Sequence, residues 1–254
     1  MQRIDRRRFT ARALELVAAA TLAGCDRLSA SPGFARLLGR AEPLTRAAQS
    51  LLGPRGALAE EFPITERSAV FPGNGSTNPD TPEYRGHVER GFADWRLVVD
   101  GLVEHPSSFS VDDLRRLPSR TQTTRHDCVE GWSAIATWKG TRLAALLSQA
   151  GVRPGARYVL VHCADAMDED GNRYYESIDL DEARHEQTIL AYEMNDRPLP
   201  VEYGAPLRLR VERQLGYKMA KYVMRVELVR SVGNIAGGRG GYWEDRGYEW
   251  YAGI

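Results

Sequence analysis

Neither sign of charge prevails in this chain: 34 Lys and Arg face 34 Asp and Glu over 254 residues. A nucleic-acid-binding domain needs a basic face, so the balance predicts no nucleic-acid partner. Nor is there an apolar run of the roughly 18–20 residues that a membrane-spanning helix requires. Three cysteines, Cys25, Cys128 and Cys163, are too few to staple a small secreted domain, so each needs its own account. The absence of any internal repeat excludes a solenoid. What remains is a chain with 43% hydrophobic residues, enough for one large domain or two small ones with a true core.

The first 24 residues break the charge balance, with five arginines against two acids, and leave 29 basic and 32 acidic residues behind them. Arg6, Arg7 and Arg8 stand directly before Phe9, a weakly apolar stretch follows over 13–23, and it ends in Leu22-Ala23-Gly24-Cys25. The pattern resembles a twin-arginine export signal joined to a lipoprotein cleavage box. It implies a leader over 1–24, lipidation of Cys25, and a periplasmic protein tethered to the inner membrane. Chains on that route fold before export, commonly around a cofactor inserted in the cytoplasm.

Residues 25–71 are rich in Gly and Pro and read as a tether with helical pieces at Phe34–Leu38 and Leu44–Leu52. A domain is expected over 72–236, its compact part from about Phe92 to Val232, followed by a glycine-hinged aromatic strap over 237–254. Alternating apolar residues predict strands at Trp95–Asp100, Thr121–Asp127, Tyr158–Cys163, around Leu207–Val211, and at Tyr222–Val229. Ser110, Thr141 and Asp179 are placed to cap short helices, the second spanning Arg142–Ala150 before Gly151 and the third around Asp181–Gln187. Short strands broken by short helices predict a mixed α+β domain.

The chemistry-bearing segment is Arg125-His126-Asp127-Cys128-Val129-Glu130-Gly131-Trp132-Ser133, at the end of a predicted strand. A thiolate is a soft metal ligand, and a nearby Arg125 favours the ionised sulfur. On these residues alone Cys128 is a nucleophile, a metal ligand or an inert buried thiol. His126 with Cys128 and His162 with Cys163 also permit a zinc site, though at spacings unlike those of common zinc modules. A Cys128–Cys163 disulfide is a further alternative.

Cys128-Val-Glu-Gly-Trp-Ser133 resembles the molybdenum-binding segment of the bacterial sulfite-oxidase-like family, which includes periplasmic methionine-sulfoxide reductases. The likeness runs from about Asn74 to Ser231 and includes Gly204-Ala-Pro-Leu-Arg-Leu209, Gly216-Tyr217-Lys218 and Lys221. It implies a strand-rich molybdopterin-binding domain of the sulfite oxidase type, in which Cys128 ligates molybdenum and Glu130 lies beside it. It also implies that Asn74, Arg208, Gly216, Tyr217, Lys218 and Lys221 hold the pterin or its phosphate, as Arg and Lys donors and a close glycine suit. Arg125 and His126 are expected to orient substrate or relay protons. Two positions depart from the family pattern: Cys163 stands where a threonine contacts the pterin, and Tyr203 stands where an asparagine precedes Gly-Ala-Pro.

The resemblance implies oxygen-atom transfer, leaning to reduction of a sulfoxide with electrons from a membrane cytochrome or quinol-oxidising partner. Sulfite oxidation passing electrons to a soluble cytochrome is the alternative direction, and a cofactor-free lipoprotein binding module the rival from another class. The aromatic strap is expected to pack on the core, with Trp243, Arg246 and Tyr248 the residues to watch if it lines a substrate funnel instead.

Overall fold

The computed structural model describes residues 57–254, together with Ser31, Gly33 and Phe34. The expected leader, Cys25 and, Phe34 aside, the two tether helices lie outside the described residues. Among those described, no helix is long and apolar enough to cross a membrane.

Within residues 57–254, ten strands and four short α-helices alternate as the sequence suggests. They are α1 (Pro82–Glu89), β1 (Leu97–Gly101), β2 (Ser107–Phe109), α2 (Val111–Arg115), β3 (Ser119–Asp127), β4 (Ser133–Arg142) and α3 (Leu143–Ala150). There follow β5 (Tyr158–Ala166), β6 (Arg173–Asp179), α4 (Leu180–Ala183), β7 (Ile189–Met194), β8 (Arg197–Pro198), β9 (Arg208–Arg210) and β10 (Val223–Val229). One five-stranded sheet runs β2-β1-β10-β5-β6; the other runs β3-β4-β7-β8, with β9 also paired to β7. Among the described strands only β1 with β10 is parallel, so the fold is a mixed, strand-rich α+β domain, as expected.

The main core lies on the first sheet, where Leu97, Val99, Val159, Val161 and Val226 meet Leu143, Leu146 and Leu147 of α3. α3 presents these leucines because positions three and four apart share one face, and Gly151 ends it at φ +70°. A smaller cluster joins Phe71, Trp138, Ile189 and Leu199 on the second sheet.

Ser110 caps α2 through a reciprocal box with Asp113, and the Asp179 side chain accepts from Glu182 N at the start of α4. Thr141 does not cap α3. β4 continues to Arg142, and the Thr141 hydroxyl, buried inside the strand, donates to Leu114 O at 2.7 Å. α4 is a single turn rather than a helix to Gln187, because Thr188 turns its hydroxyl back onto Glu182 O. The part of the expected tether from Ala59 to Phe71 is fastened to the domain. Phe62 N donates to Thr123 O, Ile135 N to the Ser68 hydroxyl, and Ala59 N to Gln187 Oε1.

Candidate active site

β3 and β4 form a hairpin in register from Ser119↔Thr141 to Asp127↔Ser133, and Cys128 opens the loop at its tip. Cys128 N donates to Trp132 O and Gly131 N to Cys128 O, with Gly131 at φ +89°. That conformation needs a glycine, and it leaves the half-buried thiol at the edge of a cleft.

The cleft encloses about 190 Å³. Asn74, Cys128, Glu130, Asp165, Gly216 and Lys221 line it, and Tyr217, Trp243 and Tyr248 bring aromatic rings to it. Lys221 Nζ donates to three backbone oxygens, those of Asn74 at 2.6 Å, Ser76, and Glu202 at 3.2 Å. Carbonyls position an ammonium without neutralising it. Burial and the neighbouring Arg208 push Lys221 down to about 7.

Arg208 explains how a short strand can carry cations inward. Leu207, Leu209 and Val211 enter the main core, so alternation sends Arg208 and Arg210 to the opposite face of β9. That face is covered too. The two guanidinium carbons lie 5.1 and 4.4 Å from the Trp138 ring centroid, within cation–π range. Arg210 is neutralised by Glu212 through contacts of 2.9 and 2.6 Å. Arg208 has only Tyr203 O at 3.3 Å, and its Nε and Nη2 meet no hydrogen-bond partner among the described residues. Burial and Arg210 lower Arg208 to about 9. Burial raises the Cys128 thiol, and the Arg208 charge acts against that rise.

Asp165 is the residue that sequence reasoning missed. It is 4% exposed at the end of β5, and its Oδ1 meets no partner among the described residues. Burial raises its carboxyl to about 6, while Lys221 and Arg173 pull the other way. The available signal was an acid inside an otherwise apolar buried run, a position that carries a cost unless it is used.

Several expectations are not met by the geometry. Arg125 is exposed and held by Asp127 at 2.9 Å, so the cation acting on Cys128 is Arg208. His126 lies beneath the cleft and not in it. Gly216 packs so close that an added Cβ would stand 2.4 Å from His126 Nε2. Its Nδ1 faces Arg210 at 3.0 Å, and burial with three nearby cations holds the ring well below the usual histidine range, hence neutral. Lys218 is fully buried between Glu176 at 2.5 Å and Glu244 at 2.6 Å, so its ammonium is taken by carboxylates. Cys163 is 1% exposed and borders a different cavity, on the side of His162 and Arg225. Tyr203 joins the Phe71 cluster and donates to Phe71 O at 2.8 Å. Cys128 and Cys163 are both free thiols, and among the described residues no three His, Cys, Asp or Glu side chains gather as a metal site would require.

The strap packs on the core through Tyr242 and Ala252, yet Trp243 and Tyr248 line the cleft, which the sequence left as the less favoured reading.

A free thiol beside buried, incompletely paired cations is the arrangement of a site for a large anionic cofactor that also offers a soft metal. Residues 85–234 match the oxidoreductase molybdopterin binding domain family. The chain is 36% identical over 248 residues to the protein-methionine-sulfoxide reductase subunit YedZ1 of Azospira oryzae, covering 98% of this chain and 87% of that one. It is 31% identical over 226 residues to the protein-methionine-sulfoxide reductase catalytic subunit MsrP of Ralstonia nicotianae, covering 84% and 67%. Among solved structures it is similar to the sulfane dehydrogenase SoxCD of Paracoccus pantotrophus, at 26% identity and a TM-score of 0.49 over 59% of this chain and 44% of that one. This chain belongs to the molybdopterin-binding oxidoreductase family. It is a molybdopterin-dependent enzyme. The donor set fits that cofactor, because Arg208 Nε and Nη2 and the Lys221 ammonium leave positive charge for a phosphate, and Cys128 leaves a sulfur for the metal.

Proposed function

We propose that the chain reduces a sulfoxide, methionine sulfoxide in the first instance, through a molybdenum centre held by Cys128. The observation that carries this is the Cys128 thiol at a hairpin tip, facing a cleft that Lys221 lines, with the charge of the buried Arg208 acting on the thiol. The names of the two relatives support the substrate.

Bound molybdenum supplies the two-electron chemistry by which oxygen leaves sulfur. The chain's own residues bind and steer. Cys128 Sγ holds the metal, while Arg208 and Lys221 balance the charge of the pterin phosphate, with the Asn74 segment fixed against Lys221 Nζ. Gly216 lines the same cleft, and its hydrogen lets the backbone sit on His126 without a clash. Releasing the oxygen as water consumes two protons. Asp165 Oδ1 is positioned to hold one of them, at a carboxyl whose value near 6 suits proton transfer at neutral pH. Glu130, exposed at the mouth and accepting from Trp132 Nε1 at 3.1 Å, is the group through which protons enter from solvent.

We further infer export by the leader over 1–24 and tethering through lipid on Cys25. The Arg6-Arg7-Arg8-Phe9 and Leu22–Cys25 patterns support this. Both relatives are named as subunits, which supports a membrane partner that delivers the electrons. Purified protein is expected to contain near-stoichiometric molybdenum and to reduce methionine sulfoxide with an artificial electron donor. Molybdenum-loaded protein that oxidises sulfite and leaves the sulfoxide untouched would overturn the direction. Replacing Cys25 by Ser should release the protein from the membrane fraction; unchanged membrane association would refute the anchor.

A further inference from the structure

The C-terminal strap brings to the cleft something that the matched family region, ending at residue 234, does not contain: a stacked aromatic pair. The Trp243 and Tyr248 rings lie 5.4 Å apart at 26°. Tyr248 in turn stands edge-on to Tyr217 at 5.2 Å, and Trp243 edge-on to Tyr242 at 5.3 Å. A tight turn aligns the pair. Tyr248 N donates to Trp243 O at 3.0 Å, and Gly247 closes the turn at φ +103°.

The turn is anchored from beneath at two consecutive acids. Glu244 meets the buried Lys218, which also holds Glu176 of β6. Asp245 accepts from the Tyr175 hydroxyl, from Gly237 N at 2.9 Å and from Arg239 N at 3.0 Å. Arg246 lies over the Tyr242 ring at 3.5 Å. The rings are therefore held by bonds made on folding, and a ligand that meets them need not bear the cost of ordering them.

We propose that Trp243 and Tyr248 are specificity-determining residues, forming a wall that recognises the apolar methylene and methyl groups flanking an organic sulfoxide, so that the enzyme selects methionyl-type substrates over small inorganic oxyanions. The proposal rests on the functional reading above and adds the means of selection. The wall lines the same cleft as Cys128, which Lys221 and Asn74 line with polar groups. A sulfoxide divides in the same way, into a polar oxygen and an apolar remainder. Sulfur and methyl groups gain from contact with aromatic faces. Sulfite has no apolar side to offer, and the electron-rich faces of the rings do not favour its negative charge. Tyr248, 40% exposed, sits at the entrance, where the chain carrying a methionyl side chain would extend.

The test uses the molybdenum-loaded enzyme and N-acetyl-methionine sulfone amide, which keeps the apolar remainder of the sulfoxide, carries one oxygen more and is not reduced, with affinity read by calorimetry. Trp243→Ala and Tyr248→Ala should each weaken sulfone binding by about tenfold, Trp243→Phe by no more than about threefold, and all should retain molybdenum. Steady-state assays should show the loss in KM for methionine sulfoxide, with KM for dimethyl sulfoxide changing less. Because Tyr248 is at the mouth, its alanine variant reports even if Trp243→Ala does not fold. Sulfone binding as tight in Tyr248→Ala as in the wild type would overturn the proposal. Wild-type enzyme that carries molybdenum but neither binds the sulfone nor reduces the sulfoxide would sink the functional reading instead.

Discussion

Lys218 Nζ lies 2.6 Å from Glu244 Oε1, in a place that water does not reach. The same ammonium meets Glu176, so one cation fastens β6 and the C-terminal strap to the turn that carries Gly216 and Tyr217. Burial raises the Glu176 carboxyl well above its usual range, and the neighbouring Glu244 charge adds to the rise. Removing the lysine would leave two carboxylates buried without their shared counter-ion.

Lys218→Ala is therefore expected to destabilise the domain by about 3–5 kcal/mol, the usual cost of breaking a buried ion pair from one side. Lys218→Met combined with Glu244→Gln should recover part of that loss. Urea unfolding of the three proteins checks it. A Lys218→Ala variant as stable as the wild type but weak in cofactor binding would return this residue to the phosphate-binding role that the sequence suggested.

Lys221, three residues on, should behave in the opposite manner. Its folded value of about 7 lies below the ordinary 10.5. Between those values the unfolded chain keeps a proton that the folded chain has lost, so the cofactor-free protein gains stability as pH rises from 7 towards 10.5. Below pH 7 the penalty is fully present. Lys221→Met should remove about 2 kcal/mol of the difference between pH 7 and pH 9. Unfolding midpoints at the two pH values, with and without inorganic pyrophosphate, report the effect. Equal slopes in wild type and variant would contradict the account.

Asp165 carries the proton prediction. Its carboxyl is raised from 3.8 to about 6, so folded protein holds a proton there that unfolded protein has released. The resulting stability is full below pH 4 and is lost as pH rises through 6. The groups facing it are Lys221, Arg173, Tyr84, Tyr174, Tyr222 and Cys163. Asp165→Asn should erase that slope, flatten the limb of the kcat profile that falls above pH 6, and lower kcat about a hundredfold. An unchanged profile would remove Asp165 from the mechanism.

Local pattern carried much of the fold. Alternation placed β3 and delivered Cys128 to its end, and Gly151 and Ser110 marked helix boundaries, because these signals act within a few residues. Long-range partners were not legible. Lys218 and Lys221 share one short motif, yet the carboxylates that claim Lys218 come from 42 and 26 residues away. Arg125 stands three residues before the thiol and turns to the surface, whereas Arg208 reaches the thiol's field from β9. The strap was only half legible for a related reason. Glycine-rich aromatic sequence is compatible with packing on the core or lining a cleft, and while Tyr242 packs in the core, Trp243 beside it does both.

The central claim is the bond between the Cys128 sulfur and molybdenum, and X-ray absorption at the molybdenum edge tests it directly. Wild-type enzyme and Cys128→Ser should be compared at matched metal content, with thermal melts confirming that both are folded. The account predicts one fewer sulfur neighbour at the metal in the variant, together with loss of sulfoxide reduction. An identical sulfur shell in an active Cys128→Ser protein would contradict it.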